Sequence, residues 1–187
     1  MKAFIIHGTM GYPKENWFPW LKKMLEKEGY EVILPKFPTP ENQSLESWMG
    51  VFENYLHELD EETIIIGHSL GCPFILSILE KIDKPVKAAF LVAPFYQPIG
   101  IPKFDPLNQT FLEKEFDWKK IKENCKSFIL FYSDKDPYIN PDQPDELQEK
   151  LNAKLIYIED AGHFNSESGY DTFPELFEKI TGKTLEE

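Results

Sequence analysis

The sequence contains no arginine, so all 20 of its cationic side chains are lysines. A lysine ammonium group is a point charge and cannot form the paired, planar hydrogen bonds with which a guanidinium holds a phosphate or carboxylate. The 32 acidic residues bring the net charge to −12. Because nucleic acid binding depends on clustered cations, this charge argues against a nucleic acid partner.

Cysteine and long apolar runs are also scarce. The two cysteines, Cys72 and Cys125, fall in different predicted elements, and the N-terminal apolar run Ala3–Ile6 is too short for a signal peptide. No stretch approaches the roughly 18 apolar residues that a membrane-spanning helix needs. We therefore expect reduced thiols, no membrane association and a cytoplasmic location.

The remaining composition is that of an ordinary globular domain. Apolar residues make up 42% of the chain and charged residues 28%, as is usual for soluble proteins. The length of 187 residues is enough for one substantial core. No internal repeat divides the chain, so we predict a single domain spanning residues 1–187.

Six short apolar runs are predicted to form β-strands. Most are rich in Val, Ile, Phe or Tyr and lack strict alternation, which is typical of strands buried on both faces of a parallel sheet. The six runs are Ala3–Ile6, Glu31–Leu34, Thr63–Ile66, Ala88–Val92, Ser127–Tyr132 and Lys154–Ile158. Amphipathic helical patterns separate them, which predicts an α/β fold with helices on both faces of a mostly parallel sheet.

The helical patterns have recognisable ends. Gly29 is expected to cap the first helix, and Ser44 is expected to begin a helix that runs to about Leu59. The predicted helices are Trp17–Lys27, Ser44–Leu59, Leu70–Lys81, Asp117–Asn124, Pro144–Leu151 and Thr172–Thr181. The segment Ala93–Phe116 contains four prolines and is predicted to be a long irregular excursion that shapes the substrate site.

The segment Gly67–Gly71 carries the strongest functional signal. It reads Gly-His-Ser-Leu-Gly, follows a β-branched run and precedes a helical pattern. This context is typical of a nucleophile elbow, in which a strained turn exposes a serine hydroxyl above the sheet. Glycine at positions 67 and 71 leaves space for the turn, so Ser69 is the candidate nucleophile.

A serine hydroxyl needs a neighbouring base, and the chain offers four histidines. His57 belongs to an amphipathic helix, His68 lies within the elbow, and His7 ends the first strand. His163 follows the last predicted strand, which is where the base lies when the chain order is serine, acid, histidine. We therefore predict His163 as the base and expect His7 to brace its own loop.

Two aspartates compete for the role of the acid. Both Asp134 and Asp136 follow the strand Ser127–Tyr132. Asp136 precedes Pro137 in a turn that can direct its carboxylate inward, whereas Asp134 is more suited to stabilising the turn through its own backbone. We favour Asp136, which would orient His163 and stabilise the imidazolium that forms during catalysis.

Other residues are candidates for binding the substrate. Backbone N–H groups of Thr9, after the first strand, and Leu70, after the nucleophile, are predicted to form the oxyanion hole. Phe95, Tyr96 and Phe164 are candidate walls of a pocket that we expect to be apolar. The histidines are scattered without ligand spacing, so neither a metal nor an organic cofactor is expected.

Five pieces of this sequence resemble the α/β-hydrolase superfamily, and within it the small serine hydrolases that include retinoblastoma-binding protein 9 and the YdeN-like proteins. The pieces are Trp17–Leu21, Ser47-Trp48, Gly67–Pro73, Ser133–Asp136 and Gly162–Phe164. The resemblance covers essentially the whole chain. It implies a compact sheet without a large cap domain, and a triad of Ser69, Asp136 and His163.

These observations predict a serine hydrolase that acts on a small carboxylic ester through an acyl-enzyme intermediate. Thioesterase and amidase or aminopeptidase activities use the same groups and stay open as alternatives. A non-catalytic interaction module that retains the fold is the alternative from a different class. The partner is expected to be a small acyl substrate, and the sequence leaves the oligomeric state open.

Overall fold

A computed structural model describes residues 1–185 of the chain and contains one parallel sheet. The strands are β1 (Lys2–Ile6), β2 (Glu31–Ile33), β3 (Ile64–His68), β4 (Ala88–Val92), β5 (Phe128–Tyr132) and β6 (Lys154–Tyr157). Their spatial order is β2-β1-β3-β4-β5-β6, and every neighbouring pair is parallel. The predicted α/β architecture is therefore confirmed, with strand ends shifted by one or two residues.

Burial explains why most of the strand sequences do not alternate. Every residue of β3, β4 and β5 is buried, as are all but the first of β1. The edge strands β2 and β6 are partly exposed. Strands covered on both faces gain from apolar side chains at every position, and this produces continuous Val, Ile and Phe runs.

Helices cover both faces of the sheet. Within residues 1–185 they are α1 (Phe18–Lys27), α2 (Leu45–Phe52), α3 (Gly71–Leu79), α4 (Asp105–Leu112), α5 (Trp118–Glu123), α6 (Asp142–Leu151) and α7 (Pro174–Thr181). Right-handed crossovers place α1 on the face opposite to the helices that follow β2. In agreement, α1 contacts α7, whereas α3 contacts α5 and α5 contacts α6. None of these helices is long and apolar enough to cross a membrane.

The predicted caps of the first two helices are confirmed. Gly29 follows α1 with a φ of +82°, a conformation that costs glycine little. Ser44 begins α2, where its side chain accepts a hydrogen bond from the Ser47 N–H. The second helix is shorter than expected, because the chain tightens into a 3₁₀ helix over Glu53–Glu58.

The segment between β4 and α5 is more ordered than its prolines indicate. The expectation of an irregular excursion is wrong for Asp105–Leu112, which form α4. Pro106 lies in the first turn of α4, where its missing N–H would have no helical partner anyway. Phe111 and Leu112 are buried and α4 packs on α3, so the excursion is a docked helix.

The reversal of strand order next to β1 determines where a site can form. Connections leave β1 and β3 in opposite directions, which opens a crevice at their carboxyl ends. The loop after β1 and the turn after β3 both end in this crevice. Ser69 lies in that turn, directly beyond β3.

Close packing between α3 and β1 depends on Gly71. A Cβ atom on Gly71 would lie 2.5 Å from the Ile6 carbonyl oxygen, and one on Gly67 would lie 2.8 Å from the Gly71 carbonyl carbon. Contacts this short do not occur between real side chains and backbone atoms. The two glycines therefore let α3 begin immediately after β3, which is the role that the sequence pattern assigned to them.

We predict that Gly71→Ala destabilises the protein by about 1–3 kcal/mol, because the Ile6 carbonyl is part of the sheet and cannot move aside. Gly50→Ala is the matched control, since a Cβ there meets nothing within 4 Å. Gly50 is exposed within α2, so alanine should stabilise the protein by roughly 0.5–1 kcal/mol. Urea unfolding measures both changes, and equal stabilities for the two variants would contradict the packing argument.

Candidate active site

Ser69 lies in the tight turn between β3 and α3. Its φ is +56°, in the left-handed region that a residue with a side chain rarely adopts. The Ser69 N–H donates a hydrogen bond of 2.9 Å to the Val92 carbonyl, which ties the turn to β4. Such strain persists only where the surrounding structure enforces it, and it is concentrated at functional sites. The turn has the conformation that a nucleophile elbow requires.

Asp136 and His163 form a hydrogen-bonded pair at the same edge of the sheet. The His163 Nδ1–H donates to Asp136 Oδ2 at 2.8 Å, with the aspartate side chain wholly buried. The other carboxylate oxygen accepts hydrogen bonds from the N–H groups of Tyr138 and Ile139, at 2.9 and 3.2 Å. Because Nδ1 holds its proton on the carboxylate side, Nε2 is the ring nitrogen available as a base.

The two competing aspartates have different hydrogen-bond partners in the structure. Asp134 is exposed, and its Oδ1 accepts a hydrogen bond of 3.0 Å from the Asp160 N–H. That hydrogen bond is the main reason why the pKa of Asp134 is lowered. Asp134 therefore ties the loop after β5 to the loop that carries His163, whereas Asp136 contacts the imidazole itself.

Ser69 and His163 line one cavity of about 320 Å³. Within residues 1–185 the Ser69 hydroxyl forms no hydrogen bond, so the structure brings the serine and the imidazole to a shared cavity without bonding them. In enzymes without substrate such hydrogen bonds are often long and tighten on binding. The cavity therefore holds a formed acid–base pair beside a strained, accessible serine.

The loop after β1 packs directly against the serine. A Cβ atom on Gly8 would lie only 2.9 Å from Ser69 Cβ, so a side chain at position 8 would displace the Ser69 side chain. The backbone N–H groups of Thr9 and Leu70 form no hydrogen bond with any part of the described chain. Thr9 also lines the cavity, whereas the Leu70 side chain is buried. Both residues thus have an unpaired donor for an oxyanion.

His7 braces the loop after β1, as the sequence predicted. The Phe37 N–H donates to His7 Nε2 at 3.1 Å, so the ring proton is on Nδ1, which donates to the Gly8 carbonyl at 2.9 Å. Burial lowers the pKa of His7, because an apolar environment disfavours the charged ring. His7 is therefore a neutral support for the glycine loop.

Two buried donors hold the backbone of the loop that carries His163. The His68 ring donates from Nε2 to the His163 carbonyl at 2.8 Å, and Trp17 donates from Nε1 to the Phe164 carbonyl at 3.0 Å. Burial, with a smaller contribution from His163, lowers the pKa of His68 to about 3. His68 is thus a neutral donor that positions the candidate base.

Of the three predicted pocket walls, only Phe95 lines the cavity. The Tyr96 hydroxyl instead bonds to Glu146 on α6. Phe164 is fully buried and stacks on Phe173 with ring centroids 5.4 Å apart. The expectation that Tyr96 and Phe164 form walls is therefore not met, because both side chains pack away from the cavity.

The cavity is only partly apolar, in contrast to the expectation. Its apolar residues are Met10, Phe95, Ile99, Phe104, Tyr138 and Ile139, and its polar residues include Glu15, Asn16, Lys103, Asn108, Asn165, Ser166 and Glu167. Tyr138 contacts the candidate base edge to face, with ring centroids 4.8 Å apart. Its position two residues after Asp136 was a signal that the sequence analysis missed.

Neither a second nucleophile nor a metal site accompanies these residues. Cys72 is fully buried, and burial raises its pKa well above the usual value, which makes a thiolate unfavourable. It is a packed core residue, as expected. Within residues 1–185, no group of three or more His, Cys, Asp or Glu side chains is arranged to hold a metal ion.

Comparison with known proteins identifies the family. The family described as Serine hydrolase matches residues 3–181 of this chain. The hydrolase YdeN of Bacillus subtilis is 31% identical over 182 residues, which cover 96% of this chain and 94% of that protein. Serine hydrolase RBBP9 of Rattus norvegicus is 32% identical over 168 residues, covering 88% of each chain.

Solved structures agree with the sequence comparison. The crystal structure of the ydeN gene product of Bacillus subtilis superposes with a TM-score of 0.90, at 31% identity and 97% coverage of both chains. The strand–elbow–helix arrangement at Ser69 is that of the α/β-hydrolase fold. The chain is a member of the serine hydrolase family.

Proposed function

We propose that this serine hydrolase cleaves small carboxylic esters, with Ser69 as nucleophile, His163 as base and Asp136 as the acid that orients the base. One observation carries the proposal. The buried hydrogen bond between His163 and Asp136 opens onto the same cavity as Ser69, which lies in a strained turn. Three distant segments thus meet where acyl transfer needs a nucleophile, a base and a carboxylate.

In the first half-reaction, His163 Nε2 removes the hydroxyl proton as Ser69 Oγ attacks the ester carbonyl. Asp136 stabilises the resulting imidazolium, since its carboxylate already accepts the Nδ1 proton. The unpaired N–H groups of Thr9 and Leu70 would then stabilise the tetrahedral oxyanion. Each such donor typically lowers the barrier by about 2.7–4 kcal/mol.

The first half-reaction ends when the imidazolium of His163 protonates the departing alcohol oxygen, the carbon–oxygen bond breaks, and the acyl group stays on Ser69. In the second half-reaction, water attacks the carbonyl of the acyl-enzyme while His163 takes a proton from the water. The bond between the acyl carbon and Ser69 Oγ then breaks as His163 returns the proton to Oγ, which releases the carboxylic acid and the free serine. Every proton in this cycle moves through the imidazole, so no step requires a metal ion or an organic cofactor.

The cavity favours a small ester as substrate. Its volume of about 320 Å³ is at the small end of ligand sites, and its apolar wall of Phe95, Ile99 and Phe104 suits a short acyl chain. Amides and thioesters react through the same groups and are the second candidates. A role as a non-catalytic interaction module would leave the strain at Ser69 and the buried acid–base pair without a purpose.

The proposed setting is the cytoplasm, with a small molecule as the partner and neither nucleic acid nor a membrane involved. Cys72 and Cys125 are both free and buried, which suits a reducing compartment. The net charge of −12 disfavours binding to phosphate backbones and to anionic membrane surfaces.

We predict that a fluorophosphonate probe labels the wild-type protein and that Ser69→Ala abolishes labelling. His163→Gln and Asp136→Asn should each slow labelling by on the order of 10³–10⁴-fold, because the serine loses its base or the base loses its orientation. Mass spectrometry of the labelled peptide identifies the modified residue.

Matched variants test each assignment in that experiment. His57→Gln changes an exposed histidine, and Asp134→Asn changes the competing aspartate, so both should label at nearly the wild-type rate. Loss of labelling in Asp134→Asn but not in Asp136→Asn would reassign the acid. A folded wild-type protein that does not label at all would favour the non-catalytic alternative.

We further predict that kcat/KM for p-nitrophenyl esters is higher for the butyrate than for the decanoate, because the cavity is too small for a long chain. Butyryl thioesters and aminoacyl anilides, tested in parallel, compare the three possible leaving groups. Rates are expressed relative to uncatalysed hydrolysis of each compound. Faster relative cleavage of an anilide than of the butyrate would show that the protein is an amidase.

A further inference from the structure

Asn108 is a buried polar residue in α4 that the proposed mechanism does not use. Only 1% of the residue is exposed, yet it lines the same cavity as Ser69 and His163. The other buried side chains of α4, Phe111 and Leu112, are apolar. Buried polar side chains normally have hydrogen-bond partners, so the partners of the Asn108 amide indicate its role.

The surrounding hydrogen bonds determine which end of the Asn108 amide faces the protein. Gln43 Nε2 lies 2.9 Å from the Leu107 carbonyl, and a carbonyl can only accept, so this end of Gln43 is its NH₂ group. The same NH₂ group lies 3.1 Å from the Asn108 side chain, which must therefore present Oδ1 to it. The Thr9 hydroxyl also donates to this oxygen.

The opposite end of the Asn108 amide is thereby left with its two N–H donors. Within residues 1–185, no acceptor lies within hydrogen-bond distance of Asn108 Nδ2. Within residues 1–185 no buried side-chain nitrogen or oxygen lacks a hydrogen-bond partner, so the unpaired Nδ2 is open to the cavity and not sealed in the core. Since Asn108 lines the cavity, a molecule bound there can supply the acceptor.

The Asn108 amide lies close to the loop that is expected to bind the reacting carbonyl. Asn108 Oδ1 bonds to the side chain of Thr9, whose backbone N–H is a candidate oxyanion donor. The Asn108 amide is therefore one side chain away from the expected site of the oxyanion. A substrate atom bound by Nδ2 would therefore lie in the part of the cavity that is expected to hold the scissile carbonyl.

We propose that Asn108 is a substrate-binding residue that selects esters with an oxygen acceptor close to the scissile bond. Its Nδ2 donates a hydrogen bond to an ether, hydroxyl or carbonyl oxygen of the substrate. The proposal rests on the proposed hydrolase function of the cavity and adds a preference to it. Hydrocarbon acyl groups of the same shape displace solvent from this donor without replacing its hydrogen bond, and bind less well.

The same residue also has an anchoring role, which uses different atoms. Its Oδ1 joins α4 to the loop after β1 through Thr9 and Gln43. Gln43→Met removes one of these anchoring bonds and leaves Asn108 Nδ2 in place. Asn108→Leu removes the donor and both anchoring bonds, so the preference between paired substrates, and not the overall rate, reports on the donor.

The test measures kcat/KM for pairs of esters of equal size in which one CH₂ is replaced by oxygen. The pairs are p-nitrophenyl methoxyacetate with butyrate, p-nitrophenyl 3-methoxypropionate with pentanoate, and 2-methoxyethyl acetate with butyl acetate. Each ratio is divided by the ratio of the alkaline hydrolysis rates, which removes the intrinsic effect of the oxygen. Thermal unfolding is followed for every variant.

We expect wild-type protein to prefer the oxygen-containing member of at least one pair by about fivefold or more, as a net hydrogen bond provides. Asn108→Leu should bring this ratio close to one, and Gln43→Met should keep it even if both rates fall. Asn108→Ala replaces the leucine variant if that variant does not fold.

Two results would overturn the proposal. Ratios near one for all three pairs in the wild-type protein would show that Nδ2 does not bind substrate, and so would a preference that persists in Asn108→Leu. In both cases the esters are still hydrolysed and the proposed function stands. Absence of hydrolysis and of fluorophosphonate labelling would instead refute the proposed function and this inference with it.

Discussion

The hydrogen bond between His163 and Asp136 is the interaction on which the proposed chemistry of this protein depends. It joins the loop after β5 to the loop after β6 at 2.8 Å, with the carboxylate buried. Two backbone N–H groups donate to the second carboxylate oxygen, so both oxygens of the buried charge have hydrogen-bond partners. The bond fixes which nitrogen of the imidazole is free to accept a proton, and it aims that ring at the cavity of Ser69.

The other buried histidines differ from the candidate base in their hydrogen-bond partners. His7 and His68 lie near the same cavity, but burial lowers the pKa of each, and each donates to a backbone carbonyl. They act as neutral supports for the loop after β1 and the loop of His163. Among the histidines, and within residues 1–185, only His163 has a carboxylate partner at Nδ1, and that partner distinguishes the candidate base from the two supporting histidines.

Sequence reasoning succeeded where a local pattern determines the structure. Gly67 and Gly71 are required by contacts that any residue with a Cβ would break, so the elbow could be identified from five letters. Sequence reasoning failed where tertiary packing determines the orientation of a side chain. Phe164 has a φ of +51° and stacks into the core, and no pattern around it carries that information. Because of its prolines, the sequence around α4 was not recognised as a helix, and the proposed substrate-binding role of Asn108 was missed with it.

A crystal structure of the diethylphosphoryl adduct tests the central claim most directly, because the adduct mimics the tetrahedral intermediate. We expect phosphorus on Ser69 Oγ and His163 Nε2 about 3 Å from that oxygen, with the bond between His163 and Asp136 intact. We also expect a phosphoryl oxygen to accept hydrogen bonds from the N–H groups of Thr9 and Leu70. An adduct on another residue, or an imidazole turned away from Ser69, would contradict it.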